Sequence, residues 1–113
     1  MRQTITLLSA IIFITMPISL FGVSGKKVFE TYCWGCHHQT AVAFGPHFQE
    51  IASKRDASEI RAMIIDPASV SKILGYKRNA MPSFKLKEEE LKAITDYILS
   101  YKPDNNISSV KDN

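Results

Sequence analysis

The segment Cys33-Trp34-Gly35-Cys36-His37 constrains this chain more than any other, because it has the C-x-x-C-H pattern of a haem c attachment site. If the segment is helical, Cys33 and Cys36 lie at positions i and i+3 on one face, so two thioether bonds can reach one edge of a porphyrin. His37 then follows at a position from which its imidazole can ligate the iron. The chain contains only two cysteines, and this interpretation uses both.

Three other interpretations of the motif explain less of it. A structural zinc site needs four ligands spaced along the chain, whereas the two cysteines would share one turn with His37 and His38, and His47 is the only other nitrogen donor of this kind. A thioredoxin-like redox pair requires a βαβ context, and the flanking sequence shows helical spacing without a strand pattern. A structural disulfide can form in an exported chain but leaves His37 without a role.

The first 24 residues have the layout of a secretory signal peptide. Arg2 supplies a short positive end, residues 5–16 form an almost unbroken apolar run, and Gly22-Val23-Ser24 offers a small-x-small cleavage pattern. We expect cleavage after Ser24. An uncleaved anchor is the alternative, although the run is short and interrupted for a span of about 20 residues. Export agrees with the motif, because haem attachment needs cysteines handled outside the reducing cytoplasm, and the expected location is the periplasm.

Residues 25–102 form a single predicted domain, and the polar residues 103–113 form a disordered tail. A domain of this size is close to the lower limit at which a hydrophobic core alone is sufficient, and a haem would complete that core. The formal net charge of the whole chain is +3, far from the strong basic stripe of a nucleic-acid-binding protein. We therefore expect no nucleic-acid partner and, once the signal is cleaved, no membrane span.

The domain is predicted to be all-α, with three to five helices. Apolar residues recur at helical spacing in a first helix that begins near Gly25 and runs through the haem motif. Asp56 and Glu59 form a capping-box pattern. Pro67 suits the first turn of a further short helix, and Gly75 suits its end. The remaining helices are predicted at 49–55, 57–65, 67–74 and 87–101.

Met81 is the candidate for the sixth coordination position of the iron, opposite His37. Its thioether stands on a loop, and Pro82 holds Met81 extended instead of helical, which suits a side chain that reaches out from the backbone. Methionine is often plain core filling, and Met63, on a helical stripe, is expected to be so. His47 and an open sixth position are the alternatives to Met81.

Together these motifs resemble the short bacterial class I monohaem cytochromes c. The resemblance covers the whole predicted domain and rests on C-x-x-C-H, Gly45-Pro46, Met81-Pro82 and a terminal amphipathic helix. It implies a small cytochrome c fold in which the N- and C-terminal helices cross and the helices wrap one covalently attached haem c. It also implies that the Pro46 carbonyl accepts a hydrogen bond from the ring N–H of His37, and that Met81 is the distal iron ligand.

The two further histidines are less suited to ligate the iron. His38 directly follows His37 and cannot reach the opposite face of a haem, so we expect it at the surface. His47 directly follows Pro46, which the resemblance places on the proximal side. Its imidazole can instead change the local charge with pH.

With His37 and Met81 in both axial positions, the iron would have no vacant site for a substrate, so we expect outer-sphere electron transfer and not an enzyme. Met/His ligation raises the reduction potential, and apolar walls favour the less charged ferrous iron. Electrons would pass near Trp34 and Gln39, where a weak basic rim would steer acidic partners. The expected wall residues are Phe44, Phe48, Ile51, Ile60, Ile64, Ile73 and Phe84, and the expected rim residues are Lys26, Lys27, Lys77, Arg78 and Lys85.

Three functions compete on these grounds. The favoured one is a monomeric, freely diffusing carrier of a respiratory chain, between a quinol-oxidising complex and a terminal oxidase, a nitrogen-oxide reductase or a peroxidase. The second is a fixed haem subunit of a periplasmic oxidoreductase that oxidises sulfur compounds or alcohols, because segments 55–67 and 81–84 also resemble such subunits. The third is a haem enzyme or gas sensor with an open sixth site, which would bind carbon monoxide when reduced.

Overall fold

The computed structural model describes residues 22–104, which form helices joined by loops and contain no strand. The all-α prediction is therefore confirmed. Among these residues, no helix is long and apolar enough to cross a membrane. The predicted signal peptide 1–24 and tail 103–113 lie largely outside the described residues and stay predictions. The helices are α1 (Gly25–Val28), a π-helical segment (Phe29–Cys33), α2 (Phe48–Lys54), α3 (Ala57–Ile65), α4 (Pro67–Ile73) and α5 (Glu88–Leu99).

The first helix runs into the cysteine motif as predicted, but its second half is π-helical. The Trp34 N–H reaches back five residues to the Phe29 carbonyl at 2.9 Å, which is the hydrogen bond of a π turn. Within the motif the backbone hydrogen bonds span three or four residues. The Cys33 carbonyl accepts hydrogen bonds from the N–H groups of Cys36 at 3.1 Å and His37 at 2.9 Å. The motif therefore lies on a helical turn, as the spacing of its cysteines requires.

Side-chain caps determine where α2 and α3 begin. Nδ1 of His47 accepts a hydrogen bond from the Glu50 backbone at 3.0 Å, so α2 starts at Phe48. The predicted capping box is present before α3: the Asp56 carboxylate accepts from the Glu59 backbone at 2.9 Å, and the Glu59 carboxylate accepts from the Asp56 backbone at 3.0 Å. The bond from the Glu59 N–H lowers the pKa of the Asp56 carboxyl. α3 occupies the predicted 57–65.

α4 and α5 also follow local signals. Pro67 stands in the first turn of α4, and the Asp66 carboxylate accepts a hydrogen bond from the Ser69 backbone at 3.3 Å. Gly75 turns the chain after α4 with φ of +85°, in the left-handed region that residues with a Cβ avoid. α5 spans Glu88–Leu99, within the predicted 87–101.

The hydrophobic core lies where α1, α2, α3 and α5 meet. Phe29, Phe48 and Ile94 are its largest fully buried side chains, with exposed fractions of 2%, 1% and 0%. The Phe29 and Phe48 rings pack edge to face, with centroids 5.1 Å apart. The other buried apolar residues are Val28, Ala52, Ile60, Ile64, Leu91 and Ile98.

Ile73 does not belong to this core, and its prediction as a wall residue is wrong. Its side chain is 80% exposed. α4 turns Pro67 and Ser71 inward instead, four residues apart on one face, and both are buried. Ile73 stands two residues beyond Ser71 and therefore projects to the solvent side of the helix.

α1 packs directly on α5 at Gly25, in agreement with the crossing of the N- and C-terminal helices that the family resemblance implied. A Cβ at position 25 would lie 2.5 Å from the Tyr97 Cβ and would collide with the Ala93 carbonyl oxygen. The close approach brings the Phe29 and Tyr97 rings to a centroid distance of 5.9 Å. Only glycine permits this separation of the two backbones.

Gly25→Ala should therefore destabilise the protein, although alanine is the better helix former by about 1 kcal/mol. Overpacking of this kind costs about 1–3 kcal/mol, and we expect the free energy of unfolding in urea to fall by that amount. Gly35→Ala is the matched control, because a Cβ at position 35 meets no atom within 4 Å. Equal stability of the two variants would contradict the packing argument.

Candidate haem-binding site

A cavity of about 580 Å³ opens between the cysteine motif, α2, α3 and the loop that carries Met81. Its volume is within the range of about 300–1,000 Å³ typical of cofactor and ligand sites. Ile94 and Ile98 of α5 form part of its floor. Of the predicted wall residues, those that line the cavity are Phe44, Phe48, Ile51, Ile60, Ile64 and Phe84.

His37 lines this cavity and is held by the Pro46 carbonyl oxygen, which lies 2.7 Å from its Nδ1. A carbonyl oxygen can only accept a hydrogen bond, so Nδ1 of His37 carries the proton and Nε2 keeps its lone pair. This tautomer is the one that a metal ligand needs, and the carbonyl also fixes the orientation of the ring. The bond is the one that the family resemblance implied.

Gly45 allows the Pro46 carbonyl to come this close to the imidazole. A Cβ at position 45 would lie 2.7 Å from Cε1 and 2.9 Å from Nδ1 of His37. The Gly45 N–H also donates to the Cys36 carbonyl at 2.6 Å, which ties the loop to the motif. The Gly-Pro pair therefore cradles the ring, with the glycine supplying the space and the proline supplying the acceptor.

Cys33 and Cys36 both line the cavity, and neither is in a disulfide. Cys33 is half-buried and Cys36 is exposed. Burial, with a smaller contribution from Cys36, raises the pKa of the Cys33 thiol to about 11. Both thiols are thus free for thioether bonds. Residues 22–104 hold no cluster of three or more His, Cys, Asp or Glu side chains that could bind a metal ion, so they do not support the zinc interpretation.

Met81 lines the same cavity as His37. Two hydrogen bonds with the Asn79 side chain shape its backbone: the Met81 N–H donates to Oδ1 at 3.1 Å, and Nδ2 donates to the Met81 carbonyl at 3.3 Å. Further along, the Phe84 N–H donates to the Ile64 carbonyl at 3.0 Å, which fastens the loop to α3. The structure thus brings the predicted distal ligand to the haem cavity on a loop that Phe84 ties to α3.

His38 and His47 both act as backbone caps and do not line the cavity. Nδ1 of His38 accepts from the N–H groups of Thr40 at 3.1 Å and Ala41 at 2.9 Å. Nδ1 of His47 caps α2 through the Glu50 N–H. The structure therefore gives no support to His47 as the sixth ligand.

An aromatic cluster lies behind His37. The Phe48 ring is 5.9 Å from the imidazole and 6.0 Å from the Tyr97 ring. The Tyr97 hydroxyl accepts a hydrogen bond from the Gln39 amide at 3.4 Å, so Gln39 is tied to α5. Hydrogen bonding with Tyr97 at 3.0 Å raises the pKa of the Tyr101 hydroxyl.

Arg55 is the residue of the site that the sequence did not reveal. It lines the cavity, and its Nη2 donates to the Leu74 carbonyl at 2.9 Å. Its guanidinium carbon lies 5.3 Å from the centre of the Tyr76 ring. Its Nε is buried and has no hydrogen-bond partner among the described residues. These contacts join residues about 20 positions apart, and no local pattern in the sequence indicates them.

Three observations show that the residues lining the cavity fit a c-type haem. The walls are apolar, the two thiols and the His37 ring share one rim, and a thioether from Met81 reaches the same space. The orphaned Nε of Arg55 also calls for an anionic or polar acceptor inside the cavity.

Comparison with known proteins agrees with this site. A solved structure, "Cytochrome c from Rhodothermus marinus", matches with a TM-score of 0.57 and 24% identity, over 68% of this chain and 72% of that chain. That match shows a similar fold. No curated protein matches the chain. The sequence model of the family described as "Cytochrome c" matches residues 23–102. The chain therefore belongs to the cytochrome c family, as a class I monohaem member with covalently attached haem c.

Proposed function

We propose that this protein is a periplasmic electron carrier of a respiratory chain, in which His37 and Met81 ligate the haem iron. Membership of the cytochrome c family implies haem-based electron transfer. The observation that carries the finer proposal is the convergence of both candidate ligands and both cysteines on one apolar cavity.

The chain's own residues hold the cofactor and close its coordination sphere. Cys33 and Cys36 would tether the porphyrin, while the Pro46 carbonyl keeps the Nε2 lone pair of His37 available to hold the iron. Met81 would supply a thioether as the second ligand to the iron, which would leave no position for a substrate. When bound, the haem supplies an iron that exchanges one electron between its ferrous and ferric states.

The walls around the site favour the reduced form. Phe48, Ile60 and Ile64 are buried side chains that exclude water from the cavity. An apolar surrounding disfavours the additional positive charge of ferric iron, and a thioether ligand raises the reduction potential further. We therefore expect a positive potential.

Cys36→Ser, produced in a haem-maturing host, should sharply lower haem incorporation because one of the two thioether bonds is lost. The measurement is the amount of haem that stays with the wild-type polypeptide and with the variant after extraction with acidic acetone. Trp34→Phe, at an exposed position between the two cysteines, is the control and should incorporate haem normally. Complete extraction of the wild-type haem would contradict covalent attachment.

Met81→Ala should abolish the weak sulfur-to-iron absorption near the red end of the visible spectrum, open the site to carbon monoxide and lower the potential. Met81→His should keep six ligands but also lower the potential, because nitrogen stabilises ferric iron better than thioether sulfur; axial ligand choice spans about 0.8 V across haem proteins.

Met63→Ala is the matched control for Met81, because Met63 lines the same cavity from α3. It should cost packing energy and leave the absorption band intact. Retention of the parent spectrum and potential by Met81→Ala, with their loss in His47→Ala, would instead establish a bis-histidine site.

The predicted rim residues have different surroundings in the structure. Lys26 lies 4.0 Å from Glu30, and neither Lys26 nor Lys27 lines the haem cavity. Lys77 and Arg78 share a surface pocket of about 310 Å³ with Lys72. Arg78 lines both this pocket and the haem cavity. This arrangement supports an acidic partner that docks beside the loop carrying Met81.

Electron transfer to an acidic redox partner should slow as ionic strength rises, because salt screens exposed charges beyond about 8–10 Å at physiological concentrations. Lys77→Glu should lower the rate constant at low salt and flatten its salt dependence. Lys102→Glu, with the same change of charge after α5, is the control. Identical salt dependence in all three proteins would remove this surface from the docking mechanism.

A fixed haem subunit of an oxidoreductase complex is the second candidate, and one observation favours it. Trp34 and Val42 are 69% and 95% exposed, within the cysteine motif and shortly after it. Exposed apolar side chains of this kind often mark contacts with a partner. A free carrier should elute as a monomer in gel filtration, whereas an obligate subunit should co-purify with its partner from native membranes or periplasm.

A further inference from the structure

We propose that Asn79 is a positioning residue that fixes the direction in which the Met81 side chain leaves its loop, and thereby strengthens the bond of the thioether to the iron. The proposal rests on the ligation of the haem iron by Met81. Asn79 acts through the backbone of the ligand, with which its side-chain amide forms two hydrogen bonds.

The chain around the ligand has few other constraints. A backbone hydrogen bond of 2.9 Å ties Tyr76 to α4, and one of 3.0 Å ties Phe84 to α3. Between these two ties, within the described part of the chain, residues 77–83 form no hydrogen bonds other than the two between Asn79 and Met81. The backbone conformation of the ligand therefore depends on this one side chain more than on any other hydrogen-bonding group.

The two bonds hold the Met81 backbone on both sides of its Cα atom. Oδ1 of Asn79 accepts from the Met81 N–H at 3.1 Å, and Nδ2 donates to the Met81 carbonyl at 3.3 Å. Because bond lengths and angles at a Cα atom are nearly constant, the positions of its backbone N and carbonyl carbon fix the direction of its Cβ atom. The amide thus sets the direction from which the thioether extends into the haem cavity that Met81 lines.

Asparagine has the chemistry that this position requires. Its amide carries an acceptor and two donors on a short stem, and asparagine side chains commonly bond to the backbone two residues further on. An aspartate would keep the acceptor but lose the donor, and an alanine would lose both. Pro82 restrains the same residue from the other side, because a proline restricts the backbone of the residue before it.

The test is a titration of the purified ferric haem protein with imidazole. Loss of the sulfur-to-iron absorption measures how easily the thioether of Met81 is displaced. Asn79→Ala should lower the apparent dissociation constant of imidazole about fivefold, as the loss of one net hydrogen bond predicts. Asn79→Asp should lie between Asn79→Ala and the wild type, because it keeps the bond to the Met81 N–H.

Ser83→Ala is the matched control on the same loop. Ser83 is exposed, does not line the cavity and forms no hydrogen bond among the described residues. Its imidazole affinity should equal that of the wild type. An Asn79→Ala variant with the same affinity as Ser83→Ala would overturn the proposal.

A double-mutant cycle separates positioning of the ligand from any effect on the entry of imidazole. In a Met81→Ala background no thioether has to be displaced, so adding Asn79→Ala should leave the imidazole affinity unchanged. A fivefold effect that persists in this background would overturn the positioning role. A wild-type protein without the sulfur-to-iron band, or a Met81→Ala variant with wild-type imidazole affinity, would instead refute the ligation by Met81 itself.

Discussion

The hydrogen bond between Nδ1 of His37 and the Pro46 carbonyl is the interaction on which the site depends. At 2.7 Å it sets the tautomer and the direction of the ring, and a glycine at position 45 is needed to make it. The surrounding loop closes on itself through backbone bonds from Phe48 to His38 at 2.9 Å and from Gln49 to Gln39 at 3.0 Å. The loop between the motif and α2 is therefore held by its own hydrogen bonds, with the His37 ring oriented towards the cavity.

The two sides of the cavity are supported by different parts of the fold. The proximal side depends on the contact of α1 with α5 at Gly25, which carries the Phe29, Phe48 and Tyr97 rings behind the imidazole. The distal side depends on a loop fastened to α3 and, through Arg55, to the end of α4. The buried core is small, and the cavity occupies the space between these two sides. A haem thus completes the core as well as supplying the chemistry.

Charges that line the cavity and charges on the surface differ in how strongly salt screens them. Lysines that are exposed contribute mainly to the rate of encounter with a partner, and salt screens them. The Arg55 side chain is 20% exposed and lines the cavity, so salt screens its charge less than that of the exposed lysines.

Sequence patterns predicted the features that arise from neighbours along the chain. The turn from Cys33 to His37, the Asp56 capping box and the apolar face of α5 are built from contacts within three or four residues, so local spacing predicted them. Family resemblance added the Pro46 acceptor. The exposure of Ile73 and the contacts of Arg55 emerge only in the folded chain. These depend on which face of a helix meets a distant element, and the bond from Arg55 to Leu74 spans 19 positions that no local pattern connects.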